Sequence, residues 1–247
     1  MKKILLYFSI KYDGEWAKIY EALNKKEQVN EKLMEEYYIE YKGKYVSIVE
    51  NNYPDLLKEI TRPPFVLFYK GDEKLLSKKI VWPFGTLLEK EYIPSINESI
   101  SNLEKIHSII TGFSNAFENK VLAESVEPII VVKDSGIFSK LIIGEEVENQ
   151  LLKSGGLIIS EYPGEVLPTQ VNWLDSNRVK VGLSSGLFLI NSTKDKELFK
   201  TISLSLHENK EVYCLRNPFI DEENHNDTLI EKGAIGVQDI HAEMEGI

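Results

Sequence analysis

From residue 80 to residue 232 the chain repeats one unit, a short apolar run followed by a stretch of helical length. Ile80-Val81-Trp82 precedes a helical stretch near 89–104, and Ser108-Ile109-Ile110 precedes one near 115–124. The runs at 128–132, 157–159, 187–190 and 212–215 precede stretches near 144–154, 171–183, 195–208 and 226–232. Apolar runs without polar alternation suit strands buried on both faces, and helical crossovers between them imply a parallel sheet. The expected fold class is α/β, a doubly wound and mostly parallel sheet. Ligands of such sheets bind beyond the carboxyl ends of the strands, so the loops there are where function is sought.

The first 45 residues read differently. Over about 14–42, Trp16, Ile19, Tyr20 and Leu23 fall at helical spacing, and Leu33, Met34, Tyr37 and Tyr38 do so again, with Asn30 as a cap. A strand candidate at 46–49, a turn at Tyr53-Pro54 and a short helix over 55–60 follow. Arg62-Pro63-Pro64 then sets an extended lead-in to the strand Phe65–Tyr69. The expected division is a small helical segment, 1–45, and a Rossmann-like domain, 46–247. The opening apolar run stops at Ile10-Lys11 without a small-residue cleavage site, and no run is long enough to span a bilayer, so a soluble cytoplasmic protein is expected. Cys214 is the one cysteine, which excludes an intrachain disulfide. The four histidines are scattered, so neither a metal nor a cofactor is expected.

Charge narrows the partners. The net charge is −10, from 29 basic and 39 acidic residues. Residues 1–72 balance at 12 of each sign, so the whole excess lies in 73–247. The arginines are Arg62, Arg178 and Arg216. Nucleic-acid binding needs local positive potential. This composition excludes a broad DNA-binding face and leaves room for a small basic pocket.

The strand-end loops supply the candidates. Pro83-Phe84-Gly85-Thr86 has one glycine and a proline without a donor, which makes it a plain turn rather than a phosphate cradle. Thr111–Asn115 offers hydroxyls and an amide at a helix start, where Ser114 or Asn115 either caps the helix or meets a ligand. Glu161 sits where a strand meets a loop, in a functional or a capping role. It has no second carboxylate at a telling spacing for acid–base work. Asn172–Arg178 puts an amide and a guanidinium at the start of a helix. The guanidinium is suited either to phosphate or to a salt bridge. No nucleophile elbow, Walker loop or zinc signature occurs.

Four segments in order carry a resemblance. They are Tyr53–Ile60 continuing through Arg62-Pro63-Pro64-Phe65-Val66-Leu67-Phe68 to Gly71-Asp72; Gly155-Gly156-Leu157-Ile158-Ile159-Ser160-Glu161-Tyr162-Pro163; Asn177-Arg178 with Gly182-Leu183-Ser184; and Asn226–Ala234. Over about 46–240 they resemble the DprA/Smf family of DNA-processing proteins. The resemblance implies an extended Rossmann-like fold, single-stranded DNA binding, delivery of the strand to the RecA recombinase in recombination or DNA uptake, a homodimer, and no catalytic turnover. It implies a DNA pocket of Gly112, Ser114, Asn115, Asn177, Arg178 and Lys180. Arg178 would hold a phosphate, Asn177 a loop or base edge, and Phe113 or Trp173 a stacked base, with Lys120 and Lys140 adding diffuse charge. The family often carries a winged helix after this fold, and none is expected in this chain. Family arginines are missing at Pro83–Gly85, Asn115 and Ser176, and a family glutamate is Asn191. These changes describe a divergent member with a weakened pocket. Two other readings stand beside this one. One is a phosphoribohydrolase-like nucleotide enzyme using Glu161; the other is a partner-binding protein that has lost DNA and docks through acidic residues such as Asp221, Glu222, Glu223 and Asp227.

Overall fold

The structure is a computed structural model that describes residues 1–140, 144–216 and 223–245. Asp221 and Glu222 of the acidic segment lie outside the described residues. The chain opens with α1 (Lys2–Lys11), α2 (Trp16–Asn24) and α3 (Glu31–Glu40), then β1 (Lys44–Ser47), α4 (Asp55–Lys58) and β2 (Val66–Gly71). The repeat follows as β3 (Ile80–Phe84), α5 (Ile93–Glu104), β4 (Ser108–Thr111), α6 (Ala116–Glu124), β5 (Ile130–Val132), α7 (Glu145–Lys153) and β6 (Leu157–Ser160). It continues through α8 (Gln170–Leu183), β7 (Gly186–Leu189), α9 (Lys196–His207), β8 (Glu211–Leu215), α10 (Asn226–Glu231), β9 (Ile235–Val237) and α11 (Ile240–Met244).

The strands form one sheet, ordered β1-β2-β6-β5-β4-β3-β7-β8-β9. From β6 to β9 all neighbours are parallel, as helical crossovers require. The edge β1-β2 departs from this. β1 pairs antiparallel with β2, and β2 antiparallel with β6, so no helix need cross the sheet there. The two faces separate by strand alternation. Val81, Ile109, Val131, Ile158 and Phe188 pack on one side with α1, α5 and α6. Trp82, Ile110, Ile130, Ile159 and Leu187 pack on the other with α4, α8 and α9.

Two elements escape sequence patterning. The opening run forms α1. Leu5 and Leu6 enter the sheet core while Tyr7 and Phe8 enter a cluster with α2 and α3, so apolar residues surround the helix and no amphipathic stripe shows. β9 is three residues at the sheet edge and too short to read. Asn30 caps α3 as expected, its Oδ1 accepting from the Leu33 N–H at 3.1 Å. The two-proline lead-in is pinned: the Tyr53 hydroxyl donates to the Pro64 carbonyl at 2.7 Å and the Trp16 indole to the Pro63 carbonyl at 2.8 Å. Among the described residues no helix is long and apolar enough to cross a membrane.

Asn226 ties the carboxyl ends of β7 and β8 together. Fully buried, it donates to the carbonyls of Leu189, Ile190 and Leu215 and accepts from the Ser192 hydroxyl at 2.6 Å. Asn226→Ala leaves these groups unpaired in the core and should cost about 2–3 kcal/mol in urea unfolding; a loss within about 0.5 kcal/mol contradicts this role.

Candidate nucleic-acid interface

The strand order reverses between β3, which feeds β4, β5 and β6, and β7, which feeds β8 and β9. This is the switch point, where a doubly wound fold opens a crevice for ligands. Here Asn191 fills it. Its Oδ1 accepts from the Thr86 and Leu87 amides, both at 2.9 Å, and its Nδ2 donates to the Leu87 carbonyl at 3.1 Å. The Thr193 N–H donates to the Thr86 hydroxyl at 2.8 Å. The backbone donors that would meet a phosphate are thus taken by a side chain.

The loop after β4 is closed in the same way. Asn115 caps α6, accepting from the Glu118 N–H at 2.9 Å. The Glu118 carboxylate turns back into the loop and accepts from the Ser114 N–H at 2.9 Å. A Cβ on Gly112 would lie 2.6 Å from that carboxylate, so glycine is what permits the approach. The other carboxylate oxygen accepts from the Lys180 ammonium, which also lies 4.7 Å from the Trp82 ring centre. Glu118 and Lys180 are 1% and 0% exposed. The Ser114 hydroxyl donates to Asp134 Oδ2 at 3.0 Å. Four expected pocket residues, Gly112, Ser114, Asn115 and Lys180, are therefore brought together, around a carboxylate of the chain itself.

Asn177 and Arg178 stand in the middle of α8, not at a helix start, because the helix begins earlier at its Thr169 cap. Arg178 is 2% exposed. Its guanidinium donates to Glu161, to the Arg62 carbonyl and, at 3.4 Å, to Asp175 Oδ1. Tyr162 adds its hydroxyl to Asp175 at 2.9 Å. Burial works against the guanidinium's charge, but Glu161 and Asp175 outweigh it and hold Arg178 above its usual range. Burial pushes the Glu161 carboxyl up to about 7 against the pull of Arg178. Arg178 and Lys180 are thus spent within the protein and present no donors at the surface, and Glu161 is as deeply enclosed. Phe113 is buried in the core, and Lys120 pairs with Glu124 at 2.6 Å. Lys140 is exposed, 3.9 Å from Glu145.

The sequence reading missed Glu118, Asp134 and Asn191 as organising groups. Glu118 carried one signal, its place three residues after the Asn115 cap, where a glutamate commonly folds back on its helix start. Exposed cations rim the same strand ends: Lys90 after β3, Lys194 and Lys196 after β7, and Arg216 after β8.

The family model described as DNA recombination-mediator protein A matches residues 44–246. The chain belongs to that family. It is 26% identical over 184 residues to the DNA processing protein DprA of Bacillus subtilis, across 71% of this chain and 61% of that protein. It is 26% identical over 210 residues to DprA of Streptococcus pneumoniae, across 81% of this chain and 73% of that one. The solved S. pneumoniae DprA structure aligns with a TM-score of 0.72 at 22% identity, over 98% of this chain and 95% of that chain. A Helicobacter pylori DNA processing protein A, described by its single-stranded DNA binding mode, aligns at 0.70 and 21% identity, over 83% and 96%. The structural likeness shows the Rossmann-like fold. The family is one of recombination mediators, not enzymes, which leaves Glu161 its structural partner Arg178.

Because Glu161 holds its proton more tightly folded, at about 7, than at the ordinary 4.5, folding binds a proton between those values. This contribution to stability therefore falls as pH rises from about 4.5 to about 7. Chemical unfolding at pH 5 and pH 8 should show a loss that Glu161→Gln reduces; an identical loss in the variant would refute the titration.

Proposed function

We propose that the chain binds single-stranded DNA and assists loading of the RecA recombinase in recombination or DNA uptake, as a cytoplasmic homodimer without turnover. The observation that carries this reading is the family match, which extends through the whole sheet. The single-stranded DNA binding of the H. pylori protein with the same fold supports it. The expected contact is shallow. Ser114 and Asn115 offer the loop surface, with Gly112 buried behind them, while Asn191 and Glu118 occupy the amides beneath it. Arg178 and Lys180 hold the crevice together, and Lys90, Lys194, Lys196 and Arg216 face the phosphates.

Labelled oligo-dT titrated at low and high salt tests this. With about four phosphate contacts the slope of log affinity against log salt should be no steeper than about −3. Lys194→Glu/Lys196→Glu should weaken binding about tenfold or more at low salt. Absence of binding at low salt removes the DNA function. The internal neutralisation of Arg178 and Lys180 favours a second reading, a partner-binding protein without DNA; capture of RecA by the purified chain in the absence of DNA supports it.

A further inference from the structure

The face of the sheet that carries α8 and α9 holds a groove separate from the strand-end loops. Its volume is about 300 Å³, and it runs between the two helices beside Thr61 and Arg62. That size is at the small end of ligand pockets, which span about 300–1,000 Å³. Trp173 and Asn177 line it from α8, and Lys200, Thr201 and His207 from α9.

Two lining side chains are buried without a hydrogen-bond partner: Asn177, 3% exposed, through Oδ1, and Thr201, 2% exposed, through its hydroxyl. Such groups cost about 1–3 kcal/mol each when left unmet. The groove is lined by three cations, Arg62, Arg178 and Lys200, against two carboxylates, Asp175 and Glu208. Asp175 is matched by Tyr162 and Arg178, and Glu208 keeps its charge while accepting from the Thr61 N–H at 2.8 Å and from its hydroxyl. Arg62 and Lys200 are exposed and make no ion pair among the described residues. An amide with donor and acceptor, a half-buried indole and two uncommitted cations therefore share one small groove.

We propose that this groove binds one nucleotide unit. The phosphate sits on Lys200 and Arg62, the base lies against the Trp173 indole, and the Asn177 amide meets the base edge. The ligand is a free nucleotide or one unit of a single strand; in the second case the inference rests on the DNA reading above. An acidic peptide would satisfy the cations but leave the indole and amide unused.

Calorimetric titration of the full chain with dAMP, inorganic phosphate, oligo-dT and an oligoglutamate peptide tests it. dAMP should bind more tightly than phosphate, and Lys200→Glu should weaken it about tenfold or more. Asn177→Leu, which removes the unmet amide, should weaken dAMP without lowering the melting temperature. Oligo-dT binding that is unchanged in Lys200→Glu, with no dAMP binding, overturns the groove and leaves the DNA function standing. dAMP binding that depends on Lys200, with no oligo-dT binding, keeps the groove as a free-nucleotide site and removes the DNA function. Binding of the peptide alone overturns the proposal.

Discussion

The buried ion pair between Glu118 and Lys180 is the constraint around which the site is organised. Taking two charges out of water costs several kcal/mol each, and only close geometry with further partners offsets it. Here those partners are the Ser114 N–H and the Trp82 ring. The pair draws α6, α8, β3 and the loop after β4 to one point, and a side chain at Gly112 would collide with it. Replacing either charge alone would strand the other in the core.

The same device recurs along the strand ends. Asn191 closes the switch point, Glu118 the loop after β4, and Arg178 with Glu161 the loop after β6. In each case a group suited to hold a ligand meets one of the chain's own. This explains how a recombination-mediator scaffold persists while the arginines and glycines expected of a strand-binding pocket are absent. Exposed cations remain at the rim and along the α8–α9 groove, on a body that is acidic as a whole.

Much of this architecture was legible in the sequence. The apolar runs marked the parallel strands because strands buried on both faces cannot alternate, and Asn30 and Asn115 marked helix starts because a short acceptor completes free amides. The antiparallel edge was hidden, since Val66–Gly71 reads the same in either direction. The fate of the cations was hidden for another reason. Arg178 meets a carboxylate 17 positions away and Lys180 one 62 positions away, and no local spacing encodes such contacts. In so acidic a chain the salt-bridge alternative for Arg178 was visible from composition; which carboxylate would take it was not. Lys180 looked like a surface charge because lysines are seldom fully buried.

A double-mutant cycle on Glu118 and Lys180, read by urea unfolding, tests most directly whether these charges serve each other rather than a ligand. Glu118→Leu and Lys180→Met should each cost about 3–5 kcal/mol, and the double variant should recover much of the loss, because no lone buried charge remains. Losses that simply add, with coupling below about 0.5 kcal/mol, would contradict the account.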